Sequence, residues 1–324
     1  MNVKQVYVAC PGNLVTGGAE LLHQLVDALR KNGVEAFIIY APTNLEFRKP
    51  LAYSIYDAPL ATGVNLDTTD SAIVIPETMT ALAHTIKKAQ ICIWWLSVDN
   101  YFYTEQKQPL LKYAQHYRQI FNKSKAGFGL MRTYQHYVQS EYARLFLVRK
   151  RIPSAMLSDY LNIEHLQPVT ENSLRSNTIA YNPLKGVELT DHLINHHTEL
   201  KFIPIEKLDS QGVRTLLEQT KIYIDFGEHP GKDRFPREAA MAGCCIITGQ
   251  HGSAKNDMDI PIPQHYKLSD AQAKDGLTFK RLVGSILADF PAHSKSFEFY
   301  KAQIRNEKII FNQQVKNFIS SSLA

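Results

Sequence analysis

The chain has 324 residues, 44% of them hydrophobic and 21% charged, with a formal net charge of +5. That length points to two domains of ordinary size, and the composition excludes a disordered or low-complexity chain. The modest positive balance shows no basic stripe interleaved with stacking aromatics, which argues against a nucleic-acid partner.

The N-terminus passes from Met1 almost directly into Val6-Tyr7-Val8-Ala9-Cys10, without the successive regions of a signal peptide. No stretch approaches the roughly twenty apolar residues of a membrane span, so a cytoplasmic protein is expected. In the first half, β-type runs at 5–10, 36–40, 72–76, 91–96, 136–139 and 155–160 alternate with helix-period segments. Their near-continuous apolar character predicts strands covered on both faces. Between the first two, Leu21, Leu22, Leu25, Val26 and Leu29 share one helix face, and Gly33 marks its end. A helix start is expected at 139–142, capped by Ser140. The polar stretch 162–176 reads as an interdomain linker. Beyond it come strands at 178–181, 201–205, 222–226 and 245–248, with helices at 189–197, 211–219 and 236–243. A last helical segment over about 296–320 is expected to return to the first domain. The pattern predicts an α/β protein of two doubly wound units, 1–165 and 166–295, with 296–324 packing back on the first. Ligands of such sheets bind beyond the carboxyl ends of the strands, and the active site is expected in the cleft between the facing units.

Four cysteines, Cys10, Cys92, Cys244 and Cys245, form no C-x-x-C pair and read as buried, reduced packing residues. Arg149-Lys150-Arg151 follows an apolar run; a solvated helix end is favoured there over contact with an anionic membrane or a lipid-diphosphate acceptor. The twelve histidines show no H-E-x-x-H and no tight Cys/His spacing, and no metal site is expected.

Three loops concentrate the chemistry. After the first strand, Pro11 to Glu20 includes the pair Gly17-Gly18, where backbone can approach a ligand and a helix start favours an anion; taken alone, glycines that only make a tight turn are the equal alternative. It is neither G-x-G-x-x-G nor a P-loop, which weakens nicotinamide and ATPase readings. After the first strand of the second unit, Asn182-Pro183-Leu184-Lys185-Gly186 aims a lysine from a strand end, suited to a departing diphosphate, although an exposed turn lysine is the plainer reading. The densest stretch is 225–243, where His229, Lys232, Asp233, Arg234, Arg237 and Glu238 crowd a loop leading into a small-residue helix. So many ionisable groups beside a buried strand mark a site.

At these places the sequence resembles the GT-B glycosyltransferases, close to glycosyltransferase family 4 and its bacterial capsule and lipopolysaccharide enzymes. The anchors are Gly17-Gly18-Ala19-Glu20, Lys185-Gly186, and Arg237-Glu238-Ala239-Ala240-Met241-Ala242-Gly243 before the Cys245–Thr248 strand. The resemblance implies two Rossmann-like domains, an acceptor-binding first and a donor-binding second. It implies a nucleotide-sugar as donor substrate, a glycan or lipid-linked glycan as acceptor, and neither metal nor cofactor. It places Gly17 and Gly18 near the donor phosphates and acceptor, Lys185 on the diphosphate and Glu238 on the nucleotide ribose. Two departures stand out: Asn182 lies where the family carries an arginine, and Pro230 where it carries a first glutamate. His229, Lys232, Asp233 or Arg234 are then expected to supply sugar and phosphate contacts.

In the first unit, Trp94-Trp95-Leu96-Ser97-Val98-Asp99 ends a strand where similar enzymes often keep a histidine. Asp99 is a candidate general base among aromatics suited to sugar faces; a capping aspartate beside core tryptophans is the equal alternative. Glu77, after another strand, reads as a solvated loop residue before an acceptor contact. The sequence thus predicts hexosyl transfer to a surface glycan, with peripheral contact at the inner membrane face in view. A nucleotide-sugar epimerase of the same architecture, turning over without acceptor, and a non-catalytic glycan-binding subunit remain as alternatives.

Overall fold

The computed structural model describes residues 3–42, 45–63, 65–103, 108–169 and 175–323. The chain divides into two compact units, Met1–Asp159 with Lys308–Ala324, and Tyr160–Glu307.

The first unit is built on β1 (Gln5–Pro11), β2 (Glu35–Ala41), β3 (Ser71–Pro76), β4 (Gln90–Trp95), β5 (Gln135–Val138) and β6 (Ala155–Met156). They form one parallel sheet in the order β2-β1-β3-β4-β5-β6. Val6, Val8, Ala9 and Cys10 are all buried, because helices cover both faces of the sheet's centre. Helix α1 (Gly17–Lys31) opens on Thr16, whose hydroxyl accepts from the Ala19 N–H at 3.3 Å, and buries the predicted leucine face. Helices α2 (Val98–Tyr101), α3 (Pro109–Phe121), α4 (Phe128–Met131) and α5 (Glu141–Arg149) follow in the second half of the unit. Ser140 caps α5 by accepting from Ala143 N at 3.2 Å.

The last predicted strand of this unit, 155–160, is only the two residues of β6. Leu157 N still reaches Val138 O, but Ser158 N donates to the side chain of Gln314 at 2.7 Å, so the ladder stops there.

The second unit holds β7 (Ser176–Tyr181), β8 (Lys201–Pro204), β9 (Thr220–Asp225) and β10 (Cys245–Thr248) in a parallel sheet ordered β10-β9-β7-β8. Helices α6 (Val187–His196), α7 (Ser210–Glu218) and α8 (Arg234–Met241) cross over between the strands. The chain then adds α9 (Asp270–Lys274), α10 (Leu277–Ala288), α11 (Phe290–Lys295) and α12 (Glu298–Ser322). The division of the chain falls at 159/160 and inside α12 at 307/308, rather than at 165/166 and 295/296. Of the expected linker, residues 170–174 lie outside the described residues, while 163–166 form a short 3₁₀ turn of the second unit. Among the described residues no helix is long and apolar enough to cross a membrane. All four cysteines are buried and free.

Both sheets reverse strand order at one point: between β1 and β3 in the first, between β7 and β9 in the second. Helices leave on opposite faces there, so the loops after those strands open into a crevice within each unit.

Candidate functional site

In the second unit the two loops at the reversal point are in contact. Gly186 has φ +58°, and a Cβ there would stand 2.5 Å from the Phe226 carbonyl carbon and 2.6 Å from Gly227 N. Only glycine allows this approach, which sets the β7 turn directly on the end of β9. Asn182 fixes the same turn through its Oδ1, which accepts from Leu184 N at 3.0 Å. Its side-chain oxygen thus serves the turn that presents Lys185.

Lys185 Nζ lies 2.6 Å from Asp233 Oδ2, and Asp233 lies 2.9 Å from His229 Nδ1. The other imidazole nitrogen is 3.4 Å from Asp225 Oδ1. These are ion-pair distances; neither ring nitrogen is aligned for a good hydrogen bond. Asp225 itself accepts from Gly227 N at 3.0 Å and from Tyr223 OH at 2.9 Å. Burial pushes the His229 pKa down, but Asp225 and Asp233 outweigh it and hold the imidazolium up at about 10. Burial likewise works against the Asp225 carboxylate, which His229 and then Lys185 nevertheless keep below its ordinary range. Two carboxylates therefore alternate with two cations along a line that ends on the half-buried Lys185. His229 is fully buried between Asp225 and Asp233, and its ring is covered in this structure.

A second cluster lies on the N-terminal half of α8. Glu238 Oε1 is 3.1 Å from Arg234 Nε and 3.6 Å from His165 Nε2, and Arg234 also meets His165 at 3.4 Å. His165 was not foreseen; it is one histidine in a polar stretch far from α8 in sequence, with no motif around it. Lys232 is paired in its turn. Its ammonium is 2.7 Å from Glu307 Oε1, beside the fully buried Arg237, which donates to Glu307 Oε2 at 2.9 Å. Arg237 further donates to the Lys232 and Asp233 carbonyls at 3.1 and 3.2 Å. Lys232 and Arg237, both on Glu307, thus hold the loop in shape. Asp225, His229 and Asp233 lie close enough together to hold a metal ion. The ammonium on Asp233 and the protonated imidazole already supply that cluster's positive charge.

In the first unit, Gly17 and Gly18 are the first residues of α1, and a Cβ on Gly18 would meet nothing within 4 Å. Nothing in the fold requires glycine at Gly18; it leaves the helix start bare. Tyr53 steadies the loop, its hydroxyl accepting from Thr16 N at 2.8 Å and donating to Thr16 O at 3.0 Å. Asp99, half-buried on α2, accepts from Tyr142 OH at 3.0 Å. Trp94 and Trp95 are fully buried core, donating to Leu157 O and His136 Nδ1, so they offer no face to a sugar. Glu77 is buried rather than solvated, and its Oε2 accepts from Leu96 N at 2.8 Å. Burial pushes its carboxyl up to about 7, against the Leu96 and Ser97 N–H groups, which favour the anion. Glu77 thus clamps the strand end from which Asp99 follows.

With this geometry in place, comparison with solved structures shows the fold. The chain is similar to sucrose-phosphate synthase of Thermosynechococcus elongatus, at 12% identity over 98% of each chain with a TM-score of 0.67. It is similar to HepE of Anabaena in complex with UDP-glucose, at 9% identity over 98% of this chain and 99% of that one, TM-score 0.64. A glycosyltransferase of Rickettsia africae matches at 14% identity over 99% and 98%, TM-score 0.62. No protein-family profile matches the chain, and no curated protein sequence matches it. Two parallel doubly wound α/β units define its class. The chain has the GT-B fold.

Proposed function

We propose that this protein is a glycosyltransferase that moves a hexose from a nucleotide-sugar to a surface-polysaccharide or lipopolysaccharide acceptor, in the manner of family 4. It needs neither metal nor cofactor, and it works in the cytoplasm in contact with the inner face of the membrane. The second unit takes the donor and the first unit the acceptor. The observation that carries this reading is the line Asp225–His229–Asp233–Lys185 at the strand-order reversal of a GT-B donor-type sheet, beside Arg234 and Glu238.

The arrangement suits a leaving diphosphate. Lys185 exchanges Asp233 for phosphate oxygen, and Asp233 keeps its buried counterion in His229, so the exchange strands no charge. Arg234 adds a second cation, and these side chains supply the positive charge for which other transferases use a metal. Glu238, held by Arg234 and His165, is the acceptor for ribose hydroxyls. As the bond from the sugar's anomeric carbon to phosphate breaks, that carbon bonds the acceptor oxygen. The acceptor hydroxyl gives up its proton as that bond forms, and Asp99 is the candidate base to take it.

The test is calorimetric titration with UDP-glucose and a panel of other nucleotide-sugars in metal-free buffer. One nucleotide family is expected to bind with about micromolar affinity, and Lys185→Ala to weaken it roughly tenfold to a hundredfold, as loss of a hydrogen bond to a charged group does. Absence of any binding, or equal affinity in the variant, refutes the assignment.

A further inference from the structure

Helix α3 turns an apolar stripe outward. Leu110, Tyr113, Tyr117 and Phe121 are 84%, 64%, 68% and 92% exposed, and their spacing places them on one face. The helix is held from its other side, where His116 is buried against Phe102 and Tyr101 at ring separations of 5.0 and 5.1 Å. From Gln108 to Lys125 the sequence contains Lys112, Arg118, Lys123 and Lys125 and not one Asp or Glu. Lys125 is spent within the fold, donating to the Tyr101 and Tyr103 carbonyls. Lys112, Arg118 and Lys123 have no carboxylate partner among the described residues. The basic end of α5 leans on the same aromatic cluster: Phe146 lies 5.7 Å from Phe102, and Lys150 Nζ lies 5.2 Å from the centre of the Phe128 ring. Arg149 and Arg151 flank it.

We propose that the outward face of α3, Leu110, Tyr113, Tyr117 and Phe121 with Arg118 at its edge, seats the first unit in the headgroup layer of an anionic membrane. Charge complementarity selects that occupant. A segment that carries only cations matches the uniformly anionic surface of such a bilayer, whereas a protein surface is a mosaic of both signs. Tyrosines place a polar hydroxyl at the level of the headgroups above a buried ring, and leucine and phenylalanine go deeper. The basic end of α5 adds to the same attraction. This deepens the membrane contact of the proposed function, and its test needs neither donor nor acceptor, so it fails or stands apart from the transfer reaction.

The measurement is co-sedimentation of the full chain with vesicles of phosphatidylcholine alone and of phosphatidylcholine mixed with phosphatidylglycerol. Binding is expected to the mixed vesicles only, and to fall as salt is raised. Arg118→Gln is expected to weaken it on the order of fivefold, the value of one cation near the surface. Tyr113→Ser with Phe121→Ser is expected to weaken it at least tenfold, well under what full burial of two large apolar side chains contributes. Both variants change exposed positions only, so circular dichroism and melting are expected to match wild type. Equal binding to neutral vesicles, or unchanged binding in both variants, overturns the proposal. So does self-association of the wild type that the stripe variant abolishes, since the face would then be covered by a second copy.

Discussion

At neutral pH His229 carries its proton between two carboxylates, and that proton links the fold of the second unit to the readiness of Lys185. The folded pKa, about 10, lies above the ordinary 6.5. The stabilisation it gives is therefore fully present below about pH 6.5 and lost as pH rises towards about 10. His229→Gln removes the charge and keeps the ring's approximate volume. We expect wild type to exceed this variant in melting temperature most at about pH 6, with the gap closing as pH approaches 10. A gap that is constant with pH would show that His229 is neutral in the fold. The family resemblance singles out Lys185 and Glu238, because Lys185-Gly186 and the run Arg237 to Gly243 are local signals that carry it. It does not single out His165, Glu77 or Glu307, whose partners Arg234, Leu96 and Arg237 lie far along the chain. Glu77 reads as solvated from its neighbours, and only the N–H groups at the end of a second strand explain why a carboxylate can be buried there.

The loops after β1, β7 and β9 are positioned by the strands they leave, and glycine plays opposite parts in them. At Gly186 the fold demands it, since a Cβ would strike the backbone of Phe226 and Gly227 and φ is +58°. At Gly18 the fold demands nothing, and alanine within a helix is favoured over glycine by up to about 1 kcal/mol. We therefore expect Gly186→Ala to destabilise by more than about 2 kcal/mol, through backbone clash and a left-handed conformation. Gly18→Ala is expected to hold or slightly raise stability in chemical denaturation. If the bare helix start serves a ligand, that same variant weakens ligand binding or turnover, a combination that a purely structural turn would not give. The strands of both sheets are legible because parallel strands buried on two faces give unbroken apolar runs. Strand β6 is overestimated because Gln314, far away in sequence, takes the N–H of Ser158. Helix α3 escapes prediction for a related reason: its apolar residues face solvent, so its pattern has no core-facing partner to suggest it.

Over the molecule as a whole, α12 serves both units, and the division of its residues makes their stabilities separately testable. Up to Glu307 it belongs to the second unit, where that one carboxylate receives Arg237 at 2.9 Å and Lys232 at 2.7 Å. From Lys308 it belongs to the first, where Phe311, Val315 and Phe318 are buried, Phe318 packs on Tyr137 and Ser322 meets the Tyr137 hydroxyl. Leu323 O also accepts from Val3 N at 3.0 Å, beside the start of β1. Glu307→Ala leaves the fully buried Arg237 without its counterion, a loss of about 3–5 kcal/mol. Removing residues 308–324 deprives the first unit of four buried apolar side chains, Phe311, Val315, Phe318 and Leu323, each contributing about 1.5–3 kcal/mol. Either loss is a large share of the roughly 5–15 kcal/mol by which a domain is stable. Hydrogen exchange distinguishes them. Glu307→Ala is expected to lose amide protection first in β9 and α8, and the truncation first in β1, β5 and β6. Protection lost across both sheets in each variant would mean that the units unfold as one, and the assignment of α12 to two separate cores would be wrong.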